Sequence, residues 1–169
     1  MAIEHDVVSF LTSAGRKLAT AESCTGGLIA SALASVPGSG GCLDVGFVAY
    51  SPSGKGGFLG VREETMERYG LTSEEVAREM AEGALAAQGC TADVAVSNTG
   101  VADSLGDGQG PPAGTQCFAW SWRLKDGRCM TFSETQRFSG SRNEIRQAAA
   151  QYALSRIEHY SRLPGPRRE

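Results

Sequence analysis

The sequence predicts an α/β fold, a three-layer α/β/α sandwich around a mixed β-sheet. Three observations carry that expectation. Helical and strand-like periodicities alternate through the first half of the chain. The apolar run at 92–97 is unbroken, as in a strand covered on both faces. A hairpin pattern follows in the second half and adds antiparallel strands.

Each element has its own signal. Over 3–14, Ile3, Val7, Phe10 and Leu11 share a helical face, and Gly15 ends the run. Residues 17–21 read as a short strand. Helical spacing returns at 25–35 with Leu28, Ile29, Ala32 and Leu33, until Pro37-Gly38-Ser39-Gly40-Gly41 stops it. Residues 43–50 are rich in valine and aromatics and read as a strand. The glycine-rich 52–57 reads as a loop with a short turn at Phe58 and Leu59. A brief helix over 62–69 closes at Gly70. Thr72 and Glu75 fit a capping box that opens a helix to about Gln88, with Val76, Met80, Ala84 and Leu85 inward. After the buried strand, 100–114 is a long connection rich in glycine, proline and aspartate, a length that often marks function. Strands at 115–124 and 128–138 pair across Lys125-Asp126-Gly127. The last helix runs from 141 to about Arg162, with Ile145, Ala149, Tyr152 and Ile157 inward. No repeat or linker divides the chain, so a single domain over 1–163 is expected, with 164–169 as a flexible tail.

Composition narrows the classes. Of 169 residues, 41% are hydrophobic and 21% charged, near globular averages. A net charge of −3 gives no electrostatic footprint for nucleic acid. No apolar run approaches the ~20 residues of a membrane span, and the first residues lack the basic start of a signal peptide. Cys24, Cys42, Cys90, Cys117 and Cys129 are scattered and form no C-x-x-C pair. A cytoplasmic protein with reduced thiols is expected. His5 and His159 lie near opposite ends of the chain, so no cluster suits a catalytic zinc, and no metal or cofactor is expected.

Thr20-Ala21-Glu22-Ser23-Cys24-Thr25-Gly26-Gly27 lies where a strand runs into a helix. The first N–H groups of a helix attract anions, and glycines let a ligand approach the backbone. An ordinary cap at Thr25 or Ser23 would use the same residues. No P-loop, nucleophile elbow or dinucleotide fingerprint occurs. If Ser23 is a nucleophile it needs a base. With both histidines in terminal helices, a lysine or tyrosine remains. Lys17 starts the strand that leads to Ser23, and Lys125 sits in the hairpin turn. Tyr50 and Lys55 fall on the same edge as Ser23 if their strands are parallel, the edge where open α/β sheets bind ligands. A basic lysine requires a depressed pKa. A solvated loop lysine and a core tyrosine fit the same pattern. Ser97-Asn98-Thr99-Gly100 follows the buried strand at that edge, as a site or a plain turn. Arg142 opens the last helix, where a cation opposes the helix dipole, so it is either an anion contact or a solvated arginine.

The stretches LATAESCTGGLIASAL, VPGSGGCLDVGFVAYS, LGVREETMERYGLTSEEVAREMAEGAL, AVSNTGVA and FSGSRNEIRQAAAQYAL closely resemble the CinA C-terminal domain family over about residues 5–160. The resemblance implies an α/β/α sandwich without a metal. It also implies an amidase of pyridine nucleotide salvage, which converts nicotinamide mononucleotide to nicotinic acid mononucleotide and ammonia. By position it makes Ser23 the nucleophile, Lys55 the base and Tyr50 its assistant. Thr99, with Gly100, matches the family's hydroxyl-glycine pair, and Arg142 matches an arginine that would grip the phosphate. The N–H groups near Thr25, Gly26 and Gly27 would form an oxyanion hole or hold the phosphate. The expected partners are a small-molecule nucleotide and further copies of the chain, with neither nucleic acid nor membrane.

The chain departs from the family pattern in two stretches. Asp103 and Ser104 stand where glycine and proline are usual, Pro111-Pro112-Ala113 lacks a lysine, and Pro52-Ser53-Gly54 replaces N-E-A before Lys55. The altered 103–112 loop motivates an alternative, a diverged member that binds a nucleotide or partner without turnover. A further alternative makes Cys24 the nucleophile, because a thiol at a helix start can have a lowered pKa.

Overall fold

Backbone pairing sets the architecture. The computed structural model describes residues 2–103 and 108–163. The expected tail at 164–169 and positions 104–107 of the long connection lie outside the described residues. In chain order the elements are α1 (Ile3–Ala14), β1 (Leu18–Glu22), α2 (Leu28–Ala34), a 3-10 turn (Ser39–Gly41), β2 (Leu43–Val48), α3 (Pro52–Leu59), α4 (Glu63–Tyr69), α5 (Glu74–Ala86), β3 (Val94–Gly100), β4 (Thr115–Arg123), β5 (Cys129–Arg137), α6 (Arg142–Ser155) and α7 (Ile157–Ser161). The sheet order is β2-β1-β3-β4-β5. β1 is parallel to both β2 and β3, with Glu22 opposite Val48 on one side and Asn98 on the other. β4 and β5 run antiparallel, so the sheet is mixed.

The alternation of side chains along the central strands assigns the two helical layers. Leu18, Val94, Val96, Phe118, Trp120 and Trp122 pack with α1, α2, α6 and α7. The intervening positions are small: Ala19, Ala21, Ala95, Cys117 and Ala119 meet α3 and α5. Bulk therefore fills one interface, while small residues let α5 lie close to the other face. There the Ser97 hydroxyl donates to the α5 carbonyl of Ala77 at 2.6 Å. The outer strand β5 is tied to both layers by polar contacts. Ser133 and Thr135 donate to Glu74 of α5, and on the other face Glu134 accepts from Tyr152, Arg156 and Tyr160. Burial alone would raise the Glu134 pKa, but these hydrogen bonds outweigh it and hold the group at about 2.

Four elements differ from the sequence expectation. The stretch 52–57 is not a loop but the body of α3: Ser51 caps it by accepting the Gly54 N–H at 3.0 Å, Pro52 opens it, and Gly60 closes it at φ 68°. Its glycines lower intrinsic helicity by roughly 1 kcal/mol each, and packing on α5 overrides that. The cap of α5 is Ser73 rather than Thr72, with its hydroxyl on the Val76 N–H. β3 continues through the polar Ser97-Asn98-Thr99 to Gly100. The last helix divides at Arg156 into α6 and α7, and α6 opens with a capping box of Ser141 and Glu144.

α3 and α5 cross at Gly83, where an added Cβ would lie 1.7 Å from the Leu59 carbonyl oxygen. Gly83→Ala is therefore expected to force the helices apart and lower stability by roughly 1–3 kcal/mol, seen as a fall in Tm by calorimetry. An unchanged Tm would contradict this packing.

Candidate active site

The carboxyl ends of β1, β2 and β3 share one edge, and the chain leaves β1 there at Ser23. The Ser23 N–H still joins the ladder, on the Asn98 carbonyl at 3.0 Å. The next residues turn sharply through two left-handed glycines, Gly26 at φ 56° and Gly27 at φ 99°, and α2 begins. Neither Thr25 nor Ser23 caps that helix. The buried Glu22 carboxylate does so, accepting from the Ile29 N–H at 2.8 Å, the Ala30 N–H at 3.1 Å and the Thr25 hydroxyl at 2.7 Å. The start of α2 thus already holds an internal anion. From the other side, Arg146 of α6 clamps the turn, donating to the carbonyls of Cys24 at 2.9 Å and Thr25 at 3.3 Å.

Lys55 approaches Ser23 from α3. Its side chain is only 1% exposed. Nζ lies 2.9 Å from Ser23 Oγ, 3.1 Å from the Ala49 carbonyl oxygen and 3.1 Å from that of Tyr50. The two carbonyls belong to the chain just beyond β2, which the parallel pairing with β1 brings alongside Ser23. Among the described residues no carboxylate pairs with this amine. Burial without compensation pushes its pKa down. The geometry suits a neutral amine. Its two N–H bonds can go to the two carbonyls, which leaves the lone pair facing the Ser23 hydroxyl proton. Three acceptors around Nζ can equally satisfy the ammonium once that proton is taken.

The remaining expected site residues divide. Tyr50 contributes its carbonyl to Lys55, while its half-exposed side chain turns outward and its hydroxyl accepts from Arg142 at 3.0 Å. Arg142 also donates to Asp103 at 2.6 Å. These groups adjoin the Ser23 turn, since Cys24 packs with Ala102 of the Asp103 segment and Ile145 of α6. Thr25 and Thr99 are turned inward. The Thr25 N–H donates to Asn98 Oδ1 at 3.1 Å, and its hydroxyl is on Glu22. The Gly26 N–H donates to the Ser23 carbonyl at 2.9 Å. Both amides therefore already have internal acceptors, whereas oxyanion or phosphate donors were expected to be free. The Thr99 hydroxyl donates to the Leu71 carbonyl at 2.8 Å and is buried. Gly100 provides clearance for the Gln116 side chain, whose Oε1 would meet an added Cβ at 2.1 Å. The Cys24 thiol is buried, with the Gln116 amide at 3.6 Å as its partner rather than a base.

The sequence reading missed Glu22, Asn98, Gln116 and Arg146. Asn98 donates to Gln116 at 2.9 Å and so links the Ser23 turn to β4. Arg146 is 122 positions from Cys24, beyond the reach of any local pattern. Only the buried carboxylate at a strand end, Glu22, carried a usable signal, because an acid there needs donors. Among the described residues no group of three or more His, Cys, Asp or Glu side chains could hold a metal ion. No helix among them is long and apolar enough to cross a membrane.

Fold and site together define an α/β/α protein that holds a serine hydroxyl against a buried, unpaired lysine at the carboxyl edge of its parallel strands. The CinA C-terminal domain family matches residues 1–161, and the chain belongs to that family. A protein of Enterobacter agglomerans named nicotinamide-nucleotide amidohydrolase PncC is 45% identical over 149 residues, covering 88% of this chain and 87% of its own. A CinA-like protein of Chlorobium phaeobacteroides is 43% identical across 93% of this chain, which spans only 37% of that longer relative. The crystal structure of competence damage-inducible protein A (ComA) from Klebsiella pneumoniae superposes with a TM-score of 0.86 at 35% identity, covering 96% of this chain and 97% of that one.

The uncompensated charge makes stability depend on pH in a defined direction. Between the depressed folded pKa of Lys55 and its unfolded value near ~10.4, the unfolded chain binds more protons, so stability contributed at this position rises with pH. Each tenfold loss of proton affinity corresponds to about 1.4 kcal/mol. The unfolding free energy of the wild type relative to Lys55→Met is therefore expected to increase as urea denaturation is repeated from neutral pH toward ~10. A difference independent of pH would contradict a buried lysine without a counter-ion.

Proposed function

We propose that the chain is an amidohydrolase that removes ammonia from the carboxamide of nicotinamide mononucleotide, with Ser23 as nucleophile and Lys55 as base. The contact that carries this reading is the 2.9 Å approach of Lys55 Nζ to Ser23 Oγ inside a water-poor pocket. The similarity to the relative named nicotinamide-nucleotide amidohydrolase supports the substrate class.

In this mechanism Lys55 takes the Ser23 hydroxyl proton as Oγ attacks the carboxamide carbon. The tetrahedral intermediate collapses when the Lys55 ammonium returns that proton to the amide nitrogen, and ammonia leaves. Water, deprotonated by the same amine, then attacks the acyl-serine carbon. The carboxylic acid departs and the proton returns to Ser23. Arg142, beside Tyr50 at the rim, would hold the phosphate. Arg146 and Glu22 fix the turn that aims Ser23 and act as positioning residues. The altered 103–112 loop, with Asp103 where glycine is usual, motivates a second reading, a diverged member that binds a nucleotide or partner without turnover.

Ammonia release from nicotinamide mononucleotide separates these. Ser23→Ala is expected to lose about a thousandfold or more in rate with its fold intact, and equal rates in the two proteins would end the serine mechanism. Calorimetric binding with no release by the wild type would select the second reading.

The pH profile tests the base separately. The wild-type rate is expected to rise with pH through a pKa below that of an ordinary lysine. Lys55→Arg should be inactive throughout, because guanidinium stays charged. A pH-independent rate would contradict Lys55 as the base.

A further inference from the structure

We infer that Asp103 sets substrate specificity by competing with a substrate phosphate for Arg142. The inference rests on the amidase reading above and deepens it: Asp103 weakens, without excluding, the binding of amides that carry a phosphate monoester.

Arg142 is the cation at the rim of the site. It is the first residue of α6, and two of its nitrogens are engaged: Nη1 on Asp103 Oδ2 at 2.6 Å and Nη2 on the Tyr50 hydroxyl at 3.0 Å. Of these two acceptors, the carboxylate supplies the anion that the guanidinium would otherwise take from a ligand. Both partners are half-exposed or more, with 49% and 65% of their side-chain surface accessible. The pair is therefore a weak, solvent-screened contact, and a phosphate can displace it. Displacement does not remove Asp103. Its backbone stays anchored, because Ala102 is buried against Cys24 and Ile145. The carboxylate remains within a few ångströms of the incoming phosphate and repels it. At a separation of about 5 Å in a water-like medium, that repulsion amounts to about a three- to fivefold weakening after screening by physiological salt. A substrate without the phosphate, the corresponding nucleoside, meets no such repulsion. Among the described residues, Lys55 and Ser23 share no hydrogen bond with Arg142 or Asp103.

The test compares kcat/KM for nicotinamide mononucleotide and for nicotinamide riboside in the wild type, Asp103→Asn and Asp103→Gly, with folding checked by circular dichroism. Both substitutions are expected to raise kcat/KM for the mononucleotide about three- to fivefold, through KM rather than kcat, and to leave the riboside value unchanged. The gain should shrink as salt is raised. A mononucleotide value that does not change, or an equal change for both substrates, overturns the inference while leaving the amidase reading intact. If the wild type releases ammonia from neither substrate, the amidase reading fails and the competition is read from binding instead. In calorimetry with the mononucleotide, Ser23→Ala/Asp103→Asn binding more tightly than Ser23→Ala upholds the role of Asp103, and equal affinities overturn it.

Discussion

The amine of Lys55, buried without a carboxylate and held by a serine hydroxyl and two backbone carbonyls, is the constraint around which this structure is organised. A lysine so placed is unfavourable as a cation, and the fold must compensate by precise support. The parallel register of β1 and β2 sets the Ala49 and Tyr50 carbonyls beside Ser23. α3 carries the lysine in from the opposite layer, and its close seat on α5 depends on the missing side chain at Gly83. Moving any one of these would leave either an unsatisfied carbonyl or a free amine in a dry pocket.

A second polar network stabilises the serine side. Glu22 gathers the free amides of α2, Asn98 receives the Thr25 amide, and Gln116 ties Asn98 to β4. Arg146 closes the turn from outside through two carbonyls. Gly26 suits this clamp, because an added Cβ would sit 2.9 Å from the Arg146 guanidinium. The charges are therefore sorted by depth. Glu22 is buried and caps α2, Lys55 is buried against Ser23, and Arg142 with Asp103 lies at the exposed surface.

The sequence revealed the fold class because its signals are local or periodic: alternating helix and strand patterns, the apolar β3 core and the hairpin across Asp126-Gly127. Ser23 and Lys55 were reachable by elimination, since histidines were absent from the centre of the chain and parallel strands share an edge. α3 was hidden by three glycines in eight residues, although Ser51-Pro52 at its start and Gly60 at its end were legible punctuation. Thr25 and Thr99 looked like ligand contacts for want of any other partner in the sequence. Their actual acceptors, Glu22 and the Leu71 carbonyl, become visible only once strand and loop are folded together. The same holds for Arg146, whose partners lie at the far end of the chain. Pairings of that kind depend on tertiary register, which no window of sequence encodes.

The most direct measurement is the pKa of Lys55 itself, followed by NMR of lysine side chains labelled at Cε. With three lysines in the chain, Lys55→Arg assigns the signal. A midpoint well below the ordinary lysine value of about 10.4 is the expected result. A midpoint at or above it would contradict a buried, uncompensated base, and with it the chemistry assigned to Ser23.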